Sequence, residues 1–209
     1  MTMKIAIAAA AIAAAGCFAA AAAAQAGPLT IVEVGWPANN CVFHDNPPDC
    51  TVVVDDSVGN FNLPGDNGAA LLQTRTYPGA KGTPAAGDMA YLYRVDLTNV
   101  SVPAGGAPNC VTGMTINFPG GVVPLPYPSA PPHGPSDVFV VTSGGPGTVG
   151  LKAAVQNGVK IVFTFTAPVC PGATSYFFGL ASKSVKPVAD VAQVSFSLGG
   201  GATPADRVP

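Results

Sequence analysis

Glutamate is almost missing from this chain: Glu33 stands alone among eleven acidic residues. Histidine occurs twice, at His44 and His133, and tryptophan once, at Trp36. Charged residues fill only 10% of the 209 positions. Each scarcity removes chemistry. Sandwich-fold glycosidases flank the scissile bond with two carboxylates. Any such pair here must come from aspartates, and the tightest, Asp55 with Asp56, are neighbours in a stretch that reads as a solvated turn. A Ser-His-Asp hydrolase would have to use His44 or His133 as base, and the G-x-S-x-G turn of the α/β-hydrolases is not present. Two histidines cannot build a His-rich metal centre.

Positive charge is just as sparse. Lys4 is the single charge in residues 1–26, so without that segment eight basic side chains face eleven acidic ones, for a net charge near −3. That gives no basic stripe for nucleic acid and no polybasic patch for an anionic membrane surface. A helical period is absent after residue 26. What fills the space is 25 glycines and 22 prolines, which punctuate short runs rich in β-branched and aromatic residues. Such runs bury enough apolar surface to fold, and the composition is all-β.

Residues 1–26 read as a signal peptide. Lys4 is a short positive n-region, Ile5 to Ala24 is an almost unbroken apolar run, and Ala24-Gln25-Ala26 supplies a small-x-small cleavage site. The mature chain then begins at Gly27. Two other readings stay open. The run nearly reaches the ~20 apolar residues of a membrane-spanning helix, and Ala14-Ala15-Gly16-Cys17 resembles a lipobox that would lipidate Cys17. Removing the leader leaves Cys41, Cys50, Cys110 and Cys170, an even count that reads as two disulfides in an exported protein. Proximity favours Cys41–Cys50 and Cys110–Cys170; a zinc site would want closer cysteine or histidine spacing.

The strongest strand signal is Val159–Thr166, V-K-I-V-F-T-F-T. Val159, Ile161, Phe163 and Phe165 share one face; Lys160, Thr164 and Thr166 share the other with Val162. Met89–Leu97 alternates likewise, with Arg94, Asp96 and Thr98 opposite its apolar face. Further strands are expected at Leu29–Val34, Thr51–Asp55, Ala70–Tyr77, Cys110–Phe118, Val138–Thr142, Val149–Val155, Ser175–Ala181 and Val191–Leu198. Gln156-Asn157-Gly158 reads as a hairpin turn. Asp55–Gly68 is rich in turn residues and reads as loop. Residues 119–136 hold seven prolines, too many for a ladder, and read as a long loop or an edge cover. This spacing predicts one antiparallel two-sheet β-sandwich, jelly-roll-like, over residues 27–198. Residues 199–209 read as a flexible tail.

The runs Ser175-Tyr176-Phe177-Phe178-Gly179-Leu180-Ala181-Ser182, Pro187 to Val194 and Val140-Val141-Thr142-Ser143-Gly144-Gly145 resemble exported bacterial proteins of the PEP-CTERM and choice-of-anchor kind, whose β-sandwiches carry a similar "YFFGLAS" segment. The resemblance covers about a third of the chain. Those proteins place a Val-Pro-Glu-Pro motif, a hydrophobic span and a basic tail after a Gly/Pro-rich spacer, and this sequence stops at Val208-Pro209. A relative lacking the sorting tail and a chain missing it are both open. The resemblance implies envelope or extracellular placement and no reaction.

Two weak ligand signals remain. Asp55, Asp56, Asn60, Asn62 and Asp66 supply oxygens of the type that hold calcium, without EF-hand spacing; the competing reading is an acidic turn. Trp36, with Tyr77 and Tyr127 in expected loops, is a candidate sugar platform; a tryptophan before a proline also serves as a packed loop anchor. The expectation is a non-enzymatic exported envelope or matrix protein with a structural or binding role and no cofactor beyond that calcium candidate. Its partner would be an extracellular polysaccharide or an envelope protein. The alternative is a carbohydrate-binding module, and an enzyme ranks third.

Overall fold

The computed structural model describes residues 27–44, 50–183 and 186–209. The leader and the Cys17 reading lie outside them, as does part of the loop between Cys41 and Cys50. The elements in chain order are β1 (Gly27–Pro28), β2 (Ile31–Gly35), α1 (Asn40–Phe43), β3 (Asp55–Phe61), β4 (Ala70–Pro78), β5 (Met89–Asp96), β6 (Val111–Asn117), β7 (Val138–Ser143), β8 (Leu151–Asn157), β9 (Lys160–Val169), β10 (Phe177–Ser182), β11 (Val188–Val191), β12 (Gln193–Phe196), β13 (Gly201–Ala202) and β14 (Ala205–Val208). Two six-stranded sheets pack face to face. The front sheet runs β1-β8-β9-β6-β12-β13 and the back sheet β2-β7-β10-β5-β4-β3, while β11 and β14 form a separate two-stranded ribbon. The chain passes directly between the two sheets at β1–β2, β5–β6, β6–β7, β7–β8 and β9–β10, so the sandwich closes through non-local pairing. Among the named strand pairs β2–β7 is parallel and the rest antiparallel.

Strand β9 shows why the alternation in its sequence matters. Ile161, Phe163 and Phe165 are buried, and Lys160, Val162, Thr164 and Thr166 are exposed. The inner row meets Tyr93 and Phe178 of the back sheet, with Phe163 4.9 Å from Phe178 between ring centroids. Val159 falls outside the strand. The loop is Gly158-Val159, closed by the Asn157–Lys160 pair, and Gly158 takes the positive φ of +61°. Glycine at the first central position is the II′ arrangement, one residue later than Gln156-Asn157-Gly158 suggested.

The back sheet has a second core on its outer face. Phe43 from α1 and Leu125 and Tyr127 from the proline-rich segment cover Val32, Leu92, Phe139, Val141 and Phe177. Residues 119–136 thus cover a sheet face through Val123, Leu125 and Tyr127. This cover explains why β5 and β10 are buried on both faces over most of their length.

Three expectations are corrected. Thr51–Asp55 is not a strand: residues 51–54 have no ladder partner, and Asp55 begins β3. Asp55–Gly68 is not all loop, because Asp55–Phe61 pairs residue for residue with Thr76–Ala70 of β4. Residues 199–209 are not a spacer. β13 extends the front sheet beside β12, β14 pairs with β11, and Asp206 and Val208 are buried. In each case tertiary pairing decides where local composition pointed elsewhere.

Both disulfides form as expected. Cys41–Cys50 has a Cα separation of 5.0 Å and Cys110–Cys170 one of 4.2 Å. Cys110 and Cys170 lie one residue beyond the Val111–Val169 register pair, so the bridge fastens the end of the β6–β9 ladder. Structural disulfides belong to oxidising compartments and are compatible with export. No helix among the described residues is long and apolar enough to cross a membrane.

Candidate functional site

Where the apolar cover of the back sheet ends, the same face turns polar and open. The change is written into three adjacent strands. On β3, Asp56, Val58 and Asn60 point outward and are exposed; on β4 their partners are Arg75, Gln73 and Leu71; on β5 the next partners along are Leu92, Arg94 and Asp96. Period-two alternation places all of them on one surface.

Their side chains form one hydrogen-bonded ladder across the strands. Arg75 Nε donates to Asp56 Oδ1 at 2.8 Å, and Gln73 Nε2 donates to the same oxygen at 3.3 Å. Arg94 Nε donates to Gln73 Oε1 at 3.1 Å, and its Nη2 pairs with Asp96 Oδ2 at 3.1 Å. Asp96 Oδ1 in turn accepts from the backbone and hydroxyl of Thr98. Single exposed ion pairs contribute about 0–1 kcal/mol, so the ladder's value lies in fixing directions more than in stability. Beneath it, the guanidinium carbons of Arg75 and Arg94 lie 4.5 and 5.2 Å from the ring centroid of Phe177. Cation–π contact of this kind is worth ~0.5–2 kcal/mol and holds both arginines against the sheet.

Trp36 borders this surface. Its ring is tilted against Phe177 at 6.4 Å, and Gly144 and Gly145 pass close over its side chain; a Cβ at Gly145 would come within 2.7 Å of the indole nitrogen. It is therefore a half-buried anchor packed against the same Phe177 ring that the two arginines approach. Tyr77 and Tyr127 are not its platform companions. Both are buried in the second core, 1% and 3% exposed, and burial pushes both hydroxyls up from their ordinary pKa.

The calcium candidates do not converge. β3 is extended, and at about 3.3 Å per residue Asp55 and Asn60 are far apart. Asp55 pairs with Arg207, Asp56 with Arg75, and Asp66 accepts from the Asn109 amide at 3.2 Å, while Asn60 and Asn62 face solvent. No cluster of three or more His, Cys, Asp or Glu suited to a metal occurs among the described residues. His133 lies in the proline-rich segment beside Thr30 and Ile31, and His44 follows α1. The ladder members Arg75 and Gln73 were missed in the sequence because Ala70–Tyr77 alternates weakly. Arg94 and Asp96 were visible as the polar side of Met89–Leu97. No family model, curated protein or solved structure matches this chain.

Proposed function

We propose that this is a non-enzymatic exported β-sandwich of the bacterial envelope or extracellular matrix that binds an extracellular polysaccharide on the open outer face of its back sheet. The observation that carries the reading is the ladder Asp56–Arg75–Gln73–Arg94–Asp96. It offers donors and acceptors at fixed positions on rigid strands, which is the preorganisation that reduces the cost of binding. Its two arginines are balanced by two aspartates. A charge-balanced row suits a neutral polyhydroxylated chain, whose hydroxyls both donate and accept, better than a polyanion. Val58, 51% exposed on the same face, and the edge of Trp36 supply apolar patches for sugar C–H surfaces. The likeness of the YFFGLAS-like β10 segment to PEP-CTERM and choice-of-anchor proteins, the apolar leader and the two disulfides support placement outside the cytoplasm.

A glycan array probed with the full mature protein tests the binding claim. Binding to at least one neutral polysaccharide is expected, falling at least tenfold in Arg94→Ala and in Trp36→Ala. An array without a hit for the folded wild type, or hits unaffected by either substitution, contradicts it. Export is tested separately by intact mass, which should begin at Gly27. A lipidated Cys17 species or an uncleaved leader would refute that processing.

A further inference from the structure

The ribbon β11–β14 seals one side of the sandwich, and it does so with two carboxylates facing one another. Asp190 and Asp206 are direct register partners in this antiparallel pair, so their side chains leave the ribbon on the same side, with Cβ atoms about 4.5–5.5 Å apart. Asp206 is 1% exposed, and neither of its oxygens has a hydrogen-bond partner among the described residues. Asp190 is half-buried and accepts from Asn117 Nδ2 at 2.9 Å. A buried anion without a donor is costly, and a second carboxylate opposite makes ionising both costlier still.

The charged and titratable neighbours do not neutralise the pair. Arg207, next on β14, pairs with Asp55 of β3. Tyr93 of β5 donates its hydroxyl to the Arg207 carbonyl at 2.8 Å. From β4 the inward residues are Thr74 and Thr76, which carry no charge, while Arg75 serves Asp56 on the other face. Lys160 of β9 is the register partner of Asn117 and lies outside, in a pocket of about 260 Å³ that it lines with Asn117, Val191 and Gln193.

We infer that Asp206, facing Asp190 across the ribbon, keeps its proton when the ribbon is closed and so latches the C-terminal strand to the sandwich; β14 is closed in mild acid and loosens as that proton is lost. Burial first, and the Asp190 charge second, push the Asp206 carboxyl up to about 7, which places the transition near neutral pH. Opening would free β14 and uncover Val208 and the Tyr93 edge of the main core, leaving the disulfides and the outer ladder untouched.

Hydrogen exchange of the Asp206–Val208 amides in the full mature protein, corrected for the intrinsic pH dependence of exchange, tests the latch between pH 5 and 9. Their protection should fall by up to about tenfold per pH unit from pH 5 to 7 and level off above 7, because opening releases one proton only between the open-state and closed-state pKa values, while β9 amides change far less. Asp206→Asn should flatten the profile. Asp190→Asn, at the half-exposed partner, should weaken it if the first variant does not fold. Protection independent of pH in the wild type, or full dependence retained in a folded Asp206→Asn, overturns the proposal. Protection restored at pH 8 by calcium chloride and not by sodium chloride also overturns it, because the pair would then hold a cation in place of a proton.

Discussion

At the scale of single residues, the inner row of β9 makes the sharpest energetic statement. Phe163 is fully buried between Tyr93 and Phe178, and Thr164 is exposed on the other side of the same strand. Phe163→Ala should therefore cost about 3–5 kcal/mol, a large part of the ~5–15 kcal/mol typical of a domain. Thr164→Ala should cost less than half as much. One urea titration of both variants decides; equal losses would mean that both faces of β9 are covered. This face assignment was legible in the sequence because period-two alternation coincided with one solvated side. The same logic was incomplete for Met89–Leu97. Its second face is buried at Ala90 and Leu92 and opens only at Arg94, since α1 and the proline-rich segment cover the rest, and no local pattern announces a cover from distant sequence. Trp36 was visible as an isolated residue, but its neighbours on the sheet were not.

At the scale of elements, edges and termini were the hard parts to read. β3 is the outermost strand of the back sheet, and edge strands carry charge that discourages pairing with other chains. Its D-D-S-V-G-N-F therefore looks like a turn. The ribbon was hidden differently: Val188-Ala189-Asp190-Val191 and Ala205-Asp206-Arg207-Val208 are each too short to show a period, and only their pairing gives either meaning. Gly59 ties these two elements together. A Cβ there would stand 2.3 Å from the Ala205 carbonyl oxygen, so backbone meets backbone with no flexible side chain to yield. Gly59→Ala should displace β14 and raise exchange of its amides by at least tenfold at pH 5, where the latch is otherwise closed. Unchanged exchange would show that β14 does not rest on β3. The 60-residue separation of Cys110 and Cys170 gives the second element-scale expectation. Replacing both by serine should cost about 4 kcal/mol on the chain-entropy model, read from the urea midpoint. A loss below about 1 kcal/mol would show that the β6–β9 ladder needs no fastening.

At the scale of the whole molecule, the two features act on different faces and should separate experimentally. The latch predicts how total stability follows pH. Asp206 is harder to ionise in the folded chain than in the unfolded one, so its contribution is complete below its ordinary 3.8 and is lost as pH rises through about 7. That span corresponds to at most roughly 4 kcal/mol, and thermal unfolding should be highest in mild acid and decline towards pH 8. A midpoint that rises between pH 5 and 8 would contradict it. Binding on the outer ladder should be unaffected by Asp206→Asn, because that surface lies on the opposite side of the back sheet from the main core. Where the glycan sits on the back sheet can be read by carbodiimide labelling of carboxylates with and without a bound polysaccharide. Asp56, at 40% side-chain exposure in the ladder, should lose most of its labelling when the glycan is present, while Glu33 on β2 keeps its own. Undiminished labelling of Asp56 in the saturated complex, or protection at Glu33 in its place, would put the ligand elsewhere and contradict the account.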